Sequence, residues 1–319
     1  MPRRALRRAF RAALALVAMA VAAVLLLPLA LLPGFRQPLA GAPDAAGLGY
    51  ERATLRSPAG PDGGTLDLPA WWVPREAPRG AMVLVHDGAA NRSLLWTGEM
   101  ALVKRLHDAG YAVLSFDLRG HGEAPDAPGG APTGRNVAPD VEAAIAWVHE
   151  RLPGQPVFLH GFGLGGVAAI YAAAEGAGVA AVSVDSVWAD LAESLRATIP
   201  DVTPVPSLAM APSLYVAEHL YGIDFQGSRA RDVVADVPVP LLVIVNAADR
   251  QVLPAHSEEL ARKARQGTLW ITPAPPPEHP IYRDRGSWGT HSQSFHLAPE
   301  AYVARLVAFH DTAIAPSSH

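Results

Sequence analysis

Hydrophobic residues along most of the chain form short continuous runs that alternate with longer segments of three- and four-residue spacing. The continuous runs predict strands over residues 50–57, 65–73, 81–86, 112–117, 157–160, 179–185, 241–246 and 268–272. The spaced segments predict helices over residues 93–109, 139–151, 164–176, 254–264 and 299–310. Unbroken apolar strands that alternate with helices are typical of a sheet covered on both faces. The pattern therefore predicts a doubly wound α/β fold around a mostly parallel, eight-stranded sheet.

The first 35 residues follow a different pattern. Residues 1–11 contain five arginines, and residues 12–35 contain no charged side chain. At about 1.5 Å per residue, the uncharged stretch is long enough for a helix that crosses a hydrocarbon core of about 30 Å. We expect a transmembrane signal-anchor whose basic end stays in the cytoplasm, which leaves the rest of the chain outside it. The alternative is a secretory signal that is cleaved near Ala40-Gly41-Ala42.

The remaining chain divides at two changes of composition. Residues 36–49 are rich in proline, glycine and alanine and predict a linker, after which residues 50–319 form one domain. Within that domain, residues of about 190–238 break the alternation of strands and helices with an apolar segment punctuated by proline. This segment predicts a small helical cap over the ends of the strands.

Composition excludes several classes of chemistry. The chain of 319 residues has no cysteine and a net charge of −4. It therefore has no disulfide, no thiolate nucleophile and no basic field that would attract nucleic acid. It contains no phosphate-binding Walker loop, dinucleotide fingerprint or His-Glu-x-x-His zinc motif, so we predict no cofactor and no metal.

Five motifs occur in a fixed order. They are VLVHDGAANRSLLW (83–96), GYAVLSFDLRGHGEA (110–124), HGFGLGG (160–166), VIVNAADRQVLP (243–254) and THSQSFHLAPEAYVARLVAFH (290–310). Together they resemble the α/β-hydrolase superfamily of serine esterases, lipases and peptidases, over about Tyr50–Phe309. The resemblance implies an oxyanion loop, a turn after the fourth strand, a nucleophile elbow, an acid loop and a histidine loop.

The resemblance assigns a catalytic triad to positions 163, 249 and 291, but the nucleophile position is Gly163. Glycine has no side chain, so no serine oxygen attacks there and no acyl-enzyme forms. Glycine also adopts the positive φ of an elbow at almost no cost. Asp249 and His291 are implied as the triad acid and base, and the backbone N–H groups of Gly88 and Leu164 as the oxyanion hole.

Each triad position has a structural alternative. Asp249 is also placed to pair with Arg250 or to cap the helix that starts at Pro254. His291 follows an unusually long segment, PPPEHPIYRDRGSW (275–288), which leaves it the alternative of an exposed loop position and makes His279 a second choice for the base.

The oxyanion loop departs from the family at Asp87, where the family commonly has glycine after histidine. A carboxylate there would oppose a developing oxyanion unless it points away or is neutralised, with Arg92 as the candidate partner. The alternative is that Asp87 accepts hydrogen bonds from amides of its own turn. Asp87 as a displaced nucleophile is disfavoured, because aspartate nucleophiles of this fold stand at the centre of the elbow.

Three functions remain open. The first is a membrane-anchored pseudo-hydrolase that keeps Asp249 and His291 but lacks the serine. The second is an active hydrolase of ester, amide or peptide bonds that uses a non-standard nucleophile or a water activated by His291. The third is a carrier of a small apolar or acyl ligand beneath the cap. The substrate, a protein partner and the oligomeric state are not indicated by the sequence.

Overall fold

An eight-stranded mixed sheet organises the chain. The structure is a computed structural model that describes residues 2–31, 36–60, 63–126, 131–203 and 205–314. The strands are β1 (Glu51–Pro58), β2 (Thr65–Val73), β3 (Ala81–Val85), β4 (Ala112–Phe116), β5 (Val157–Phe162), β6 (Ala181–Asp185), β7 (Leu241–Asn246) and β8 (Gly267–Thr272). Their order is β1-β2-β4-β3-β5-β6-β7-β8. The β1–β2 and β2–β4 pairs are antiparallel, and the other pairs are parallel.

Ten α-helices surround or extend from this sheet in the described part of the chain. They are α1 (Pro2–Leu31), α2 (Glu99–Asp108), α3 (Ala138–Arg151), α4 (Gly163–Ala174), α5 (Leu191–Val202), α6 (Ser207–Tyr221), α7 (Pro254–Lys263), α8 (Ile281–Asp284), α9 (Ser294–Leu297) and α10 (Pro299–Ile314). The predicted strands and core helices therefore all occur, within a few residues of their expected ends, except at the start of α2.

The start of α2 corrects the predicted helix over residues 93–109. Leu94, Trp96, Gly98 and Glu99 all have positive φ, between 50° and 134°. Such residues do not continue a right-handed helix, and α2 begins only at the last of them, Glu99. The segment before Glu99 is therefore a series of turns, although its apolar spacing resembles that of the helix that follows.

The two faces of the sheet carry separate apolar cores. On one face, α3 and α4 pack against strands that include β3 and β5, with Val83, Leu159 and Val167 fully buried. On the other face, α2 and α10 cover the sheet over a second cluster that includes Leu84 and Tyr302. Because helices cover both faces, every residue of the inner strands β3 to β7 is buried.

The interval predicted as a cap contains α5 and α6. Ile199 on α5 and Met210, Leu214 and Ala217 on α6 join Ile223 and Phe225 in a third apolar cluster. The cluster lies outside the two cores of the sheet, as expected for a small insertion above the strand ends. The boundaries given for the domains remain predictions.

Helix α1 contains one segment long and apolar enough to cross a membrane, Arg7–Pro28, with a mean hydropathy of 2.5. A signal sequence and a membrane anchor both fit this length and composition. The predicted span of residues 12–35 lies within the helix up to Leu31, and residues 32–35 lie outside the described part of the chain. The C-terminal part of α1 contacts α6, where the Tyr221 hydroxyl donates to the Leu25 carbonyl at 3.0 Å.

A buried ion pair fixes the loop after β4. Asp140 on α3 accepts from the backbone N–H of Arg119 at 2.9 Å and from its guanidinium at 2.6–3.0 Å. The Ser57 hydroxyl donates to the same carboxylate at 2.6 Å. Arg119 and Asp140 are both buried, so neither charge has water as an alternative partner.

We expect Asp140→Ala to lower the free energy of unfolding by about 3–5 kcal/mol, because it leaves the Arg119 guanidinium buried without its carboxylate. Urea denaturation of the detergent-solubilised chain measures this change. The control is Asp67→Ala, which removes an exposed partner of Arg56 3.7 Å away and should change the same free energy by no more than about 0.5 kcal/mol. Equal effects of the two substitutions would contradict the role given to the buried pair.

Candidate active site

The strand β5 passes directly into helix α4 at Gly163, which forms the predicted elbow. Gly163 has a φ of +46°, a conformation that costs glycine little and residues with a Cβ more. Gly161 is also required by packing, because a Cβ there would lie 2.6 Å from the carbonyl oxygen of Gly165. The sequence Gly-Phe-Gly-Leu-Gly therefore makes a turn tight enough to join a buried strand to a buried helix.

Strand register brings Asp87 next to this elbow. In the parallel pair β3–β5, Val85 is opposite Gly161, so the positions two residues later, Asp87 and Gly163, emerge side by side. A Cβ built on Gly163 would overlap the Asp87 carboxylate: Oδ1 would be the nearest atom, followed by Cγ, with Oδ2 2.8 Å away. The carboxylate of Asp87 therefore fills the space that a side chain at position 163 would need.

The Asp87 carboxylate also occupies the predicted oxyanion hole. Its Oδ1 accepts from the backbone N–H of Gly88 at 2.7 Å and of Leu164 at 3.2 Å. Leu164 lies in the first turn of α4, where unpaired N–H groups favour an anion. The structure thus brings Gly88 and Leu164 together as expected, but their N–H groups already bind an anionic oxygen of the protein. The hydrogen bond from the Gly88 amide is the contact within its own turn that the sequence offered as an alternative for Asp87. The hydrogen bond from the Leu164 amide is present in addition.

His291 joins Asp87 to Asp249. Its Nε2 lies 3.2 Å from Asp87 Oδ2, and its Nδ1 lies 3.0 Å from Asp249 Oδ2. The other oxygen of Asp249 accepts from the backbone N–H groups of Gln251 and Val252, each at 2.9 Å. The acid loop therefore holds Asp249 towards the imidazole. Asp249 and His291 are the pair that the sequence predicted, and their catalytic roles stay predictions.

Two carboxylates keep the His291 ring protonated. Burial alone would lower the pKa of His291, but the adjacent carboxylates of Asp249 and Asp87 raise it well above its usual value. Burial would likewise raise the pKa of Asp87, yet the hydrogen bond and charge of His291, together with the Gly88 and Leu164 amides, lower it. In the resting site, an imidazolium therefore donates one N–H to each of two carboxylates.

Arg92 and His279 both bind groups other than the aspartates proposed for them from the sequence. Arg92 does not neutralise Asp87: its guanidinium pairs with the buried Asp117 and with Glu123, and lies over the ring of Trp71. Of the two alternatives for Asp87, neutralisation by Arg92 is therefore the one that does not occur, because the turn after β4 offers Arg92 a buried carboxylate. His279 is not the partner of Asp249, since its Nδ1 accepts from the backbone N–H of Ile281 in the inserted segment.

A buried polar network lies beneath the site. The Tyr302 hydroxyl and the Ser186 hydroxyl each donate to Asp185 at 3.0 Å. Ser186 also accepts from the backbone N–H of Ser292, the residue after His291. Burial raises the pKa of Asp185 to about 7. These contacts fix the histidine loop from below, a role that the sequence did not reveal because Tyr302 reaches the site from α10.

Two cavities meet at the Asp87–His291 pair. One, of about 400 Å³, is bounded by Leu95, Trp96 and Trp288 and by the polar side chain of Arg285. The other, of about 380 Å³, lies under the cap; it is lined by Leu191, Leu195, Ile199, Val202, Ile223 and Phe225. Both are large enough for a small organic molecule, and apolar side chains predominate in their walls.

Metal ligands are not assembled in the part of the chain that the structure describes, since no group of three or more His, Asp or Glu side chains there is placed to hold a metal ion. The prediction that the site takes no cofactor is untested.

Comparison with known proteins supports the fold. The serine aminopeptidase S33 family matches residues 76–193, which include β3, the elbow and β6. The uncharacterized protein YfhR of Salmonella typhimurium is 28% identical over 206 residues, covering 62% of this chain and 66% of that protein. YfhR of Escherichia coli K12 is 27% identical over 209 residues, covering 62% and 64%. The match spans just under two thirds of the length of these relatives.

Solved esterases share the architecture. The Pyrococcus furiosus esterase Pf2001 aligns with a TM-score of 0.67 and 19% identity, over 88% of this chain and 97% of that one. A malate-bound thermophilic esterase from Thermogutta terrifontis aligns with a TM-score of 0.54 and 20% identity, over 82% and 99%. With the sheet order and the elbow described above, these likenesses show that the chain has the α/β-hydrolase fold.

We expect His291 to stay doubly protonated at pH 8. In Asp87→Asn its pKa should fall by about 1–3 pH units, because one adjacent negative charge is lost. NMR titration of ¹⁵N-labelled imidazole measures this directly. Folded His291 holds a proton that the unfolded chain loses near pH 6.5. The free energy of unfolding should therefore decrease as the pH rises from about 6.5 to about 10. A wild-type titration near pH 6.5 would contradict the arrangement.

Proposed function

We propose that this protein is a membrane-anchored α/β-hydrolase-fold protein without serine-hydrolase chemistry, a pseudo-hydrolase with respect to acyl transfer. The observation that carries the proposal is the Asp87 carboxylate, which overlaps the side-chain position of Gly163 and accepts from the Gly88 and Leu164 amides. Serine acyl transfer needs an attacking oxygen and free donors for the oxyanion. Position 163 lacks the attacking oxygen, and the Asp87 carboxylate occupies the donors.

The alternative of an acyl hydrolase that uses water activated by His291 has less support. A general base must accept a proton, and in the resting site both ring nitrogens of His291 are hydrogen-bonded to carboxylates. The substrate carbonyl would also find the oxyanion donors occupied by a negative charge. Carriage of a small apolar or acyl ligand fits the walls of the cap cavity but has no further contact that favours it.

Anchoring in a membrane is proposed from the first 35 residues. The supporting feature is the apolar segment Arg7–Pro28, with a basic stretch at its start. Basic residues beside a span favour the cytoplasmic side. The hydrolase-fold domain would then lie outside the cytoplasm.

Restoring serine chemistry requires two changes rather than one. We expect Gly163→Ser alone to lower the melting temperature and to remain unreactive with a fluorophosphonate, because its Cβ collides with the Asp87 carboxylate. The double substitution Asp87→Gly, Gly163→Ser frees the space and both amides. It should label at the serine introduced at position 163 and hydrolyse p-nitrophenyl acetate at least about 10²-fold faster than the wild type.

Asp87→Gly alone is the matched control, since it opens the hole without supplying an attacking oxygen and should not label. Labelling of any serine in the wild type would overturn the proposal. Equal labelling of the single and double serine variants would show that Asp87 does not obstruct the site.

The anchor predicts that the full chain, expressed in a bacterial host with a C-terminal tag, stays in the membrane fraction after a carbonate wash and retains its N-terminal residues. Mass spectrometry of the purified chain checks the N-terminus. A shorter chain that starts near Ala42 and is recovered without membranes would instead establish secretion after cleavage.

A further inference from the structure

We infer that the cavity beside Trp96 and Trp288 is a binding site for a small aromatic carboxylate, whose carboxylate group pairs with Arg285. The site is the first of the two cavities, that of about 400 Å³, and not the cavity under the cap. The inference deepens the proposed function and rests on it in one respect, namely that the bound molecule is held and not cleaved.

Arg285 is a partly buried cation without a carboxylate partner in the described part of the chain. Its guanidinium makes one hydrogen bond there, from Nη1 to the Trp96 carbonyl oxygen at 3.5 Å, and lies 5.9 Å from the centroid of the Trp96 ring. Hydrogen bonds between nitrogen and oxygen are usually about 2.7–3.2 Å long, so this contact is weak. Most N–H groups of the guanidinium therefore remain able to bind another acceptor.

The other arginines show how this chain usually treats a buried positive charge. Among the arginines whose burial the structure describes, the other partly or fully buried ones each pair with a carboxylate: Arg79, Arg92, Arg105, Arg119, Arg229 and Arg231. The rest are exposed to water. A charge withdrawn from water without a partner is costly, and a bound anion would remove that cost from Arg285.

The acidic side chains of the same cavity are already paired. Asp284 pairs with Arg283 at 2.7 Å, and Asp87 pairs with His291 at 3.2 Å. Burial lowers the pKa of Arg285, and the charges of Asp87 and Asp249 offset this effect only in part. A carboxylate is the anion that fits the guanidinium best, because its two oxygens match two parallel N–H groups.

Two indole rings bound the cavity and remain partly uncovered. Trp96 is 48% exposed and Trp288 is 47% exposed, although both side chains are large and apolar. Leu95 contributes to the same wall. Adjacent exposed apolar groups at a cavity favour a ligand with an apolar body, and flat rings pack well on indoles. The body of the ligand is therefore aromatic.

The turn that carries Trp96 is held in an unusual backbone conformation. The φ of Trp96 is +71° and that of Leu94 is +55°, in the region that favours glycine. The Gln293 side chain and Arg285 both donate to the Trp96 carbonyl, so the histidine loop and the inserted segment fix this turn together. Such conformations persist where surrounding contacts enforce them, and they cluster at binding sites. The contacts keep the Trp96 ring at the wall of the cavity.

The charges around the cavity limit the ligand to one carboxylate. The imidazolium of His291 is shared between Asp87 and Asp249, so it does not balance a further anion. A second negative charge on the ligand would lie near these carboxylates without a partner of its own. The selected class is thus a monocarboxylate with an aromatic body. Such a molecule contains no ester bond, which fits a site proposed to lack serine chemistry.

Ligand binding by the full chain in lipid nanodiscs tests the inference. The probes are 2-naphthoate and biphenyl-4-carboxylate, and each is compared with its neutral amide of the same shape. Isothermal titration calorimetry measures each Kd, with empty nanodiscs as the blank. We expect each carboxylate to bind about 10–100-fold more tightly than its amide, which is the range for hydrogen bonds to a charged group.

Substitutions at position 285 connect this preference to one side chain. Arg285→Gln should abolish the difference between carboxylate and amide, and Arg285→Lys should restore part of it, because lysine returns the charge without the planar fork. Trp288→Ala should weaken carboxylate and amide by the same factor. The matched control is Arg250→Gln, which removes an exposed arginine that lines neither cavity and should leave every Kd unchanged.

Thermal unfolding separates a binding role from a structural one. We expect Arg285→Gln to melt at the wild-type temperature or above it, because the substitution removes a partly buried charge that lacks a partner. A melting temperature lowered by more than about 3 °C would show that the guanidinium stabilises the fold, and it would overturn the inference.

The outcomes separate the two proposals. Equal affinity of the wild type for carboxylate and amide, or no binding of either carboxylate, would overturn the inference while the loss of serine chemistry stands. An equal loss of affinity in Arg250→Gln would also overturn it, because the overall charge of the domain would then explain the preference. Fluorophosphonate labelling of the wild type would overturn the proposed function instead, and the Kd values would still decide whether Arg285 binds the carboxylate.

Discussion

A side chain at position 163 and a carboxylate at position 87 compete for one space. The β3–β5 register sets this competition, since it places the two positions side by side at the carboxyl ends of adjacent strands. With glycine at the elbow, the Asp87 carboxylate lies in that space and accepts from the Gly88 and Leu164 amides, the predicted oxyanion donors. The state of every other group in the site follows from that placement, because it determines where the negative charge lies.

The imidazolium of His291 lies between the two carboxylates of the site. Asp249 is satisfied by two backbone amides and by His291, and Asp87 is satisfied by two backbone amides and by the same ring. Each carboxylate alone would raise the pKa of the ring, and together they overcome the effect of burial. His291 can become a base only after one of its neighbours loses its charge.

Much of the fold could be predicted from the chain because local patterns determine it. Buried parallel strands are continuous apolar runs. In the elbow sequence, a Cβ at Gly161, Gly163 or Gly165 would collide with neighbouring atoms, so each position requires glycine. Asp249 and His291 could be located because each lies within a recognisable motif. The start of α2 could not be located, because the apolar spacing of the helix also continues through the preceding residues, which have positive φ.

The position of the Asp87 side chain was also beyond the local pattern. The direction of a side chain in a turn depends on which neighbours leave room for it, and here the room is made by Gly163, 76 residues later in the chain. The same holds for Arg92, whose buried carboxylate partner, Asp117, follows the next strand, and for Tyr302, which reaches Asp185 from the last helix. Contacts of this kind are properties of the packed sheet and not of any one segment.

Stability alone does not account for the charged groups in this site. Buried ion pairs lose most of their Coulomb energy to desolvation, and apolar residues of similar volume are often equally or more stabilising. A domain with two apolar cores and a complete sheet has no structural need for an imidazolium between two carboxylates. The arrangement becomes useful when a molecule in the adjoining cavities meets Asp87. There Asp87 presents a negative charge and His291 a proton to the space that both cavities share.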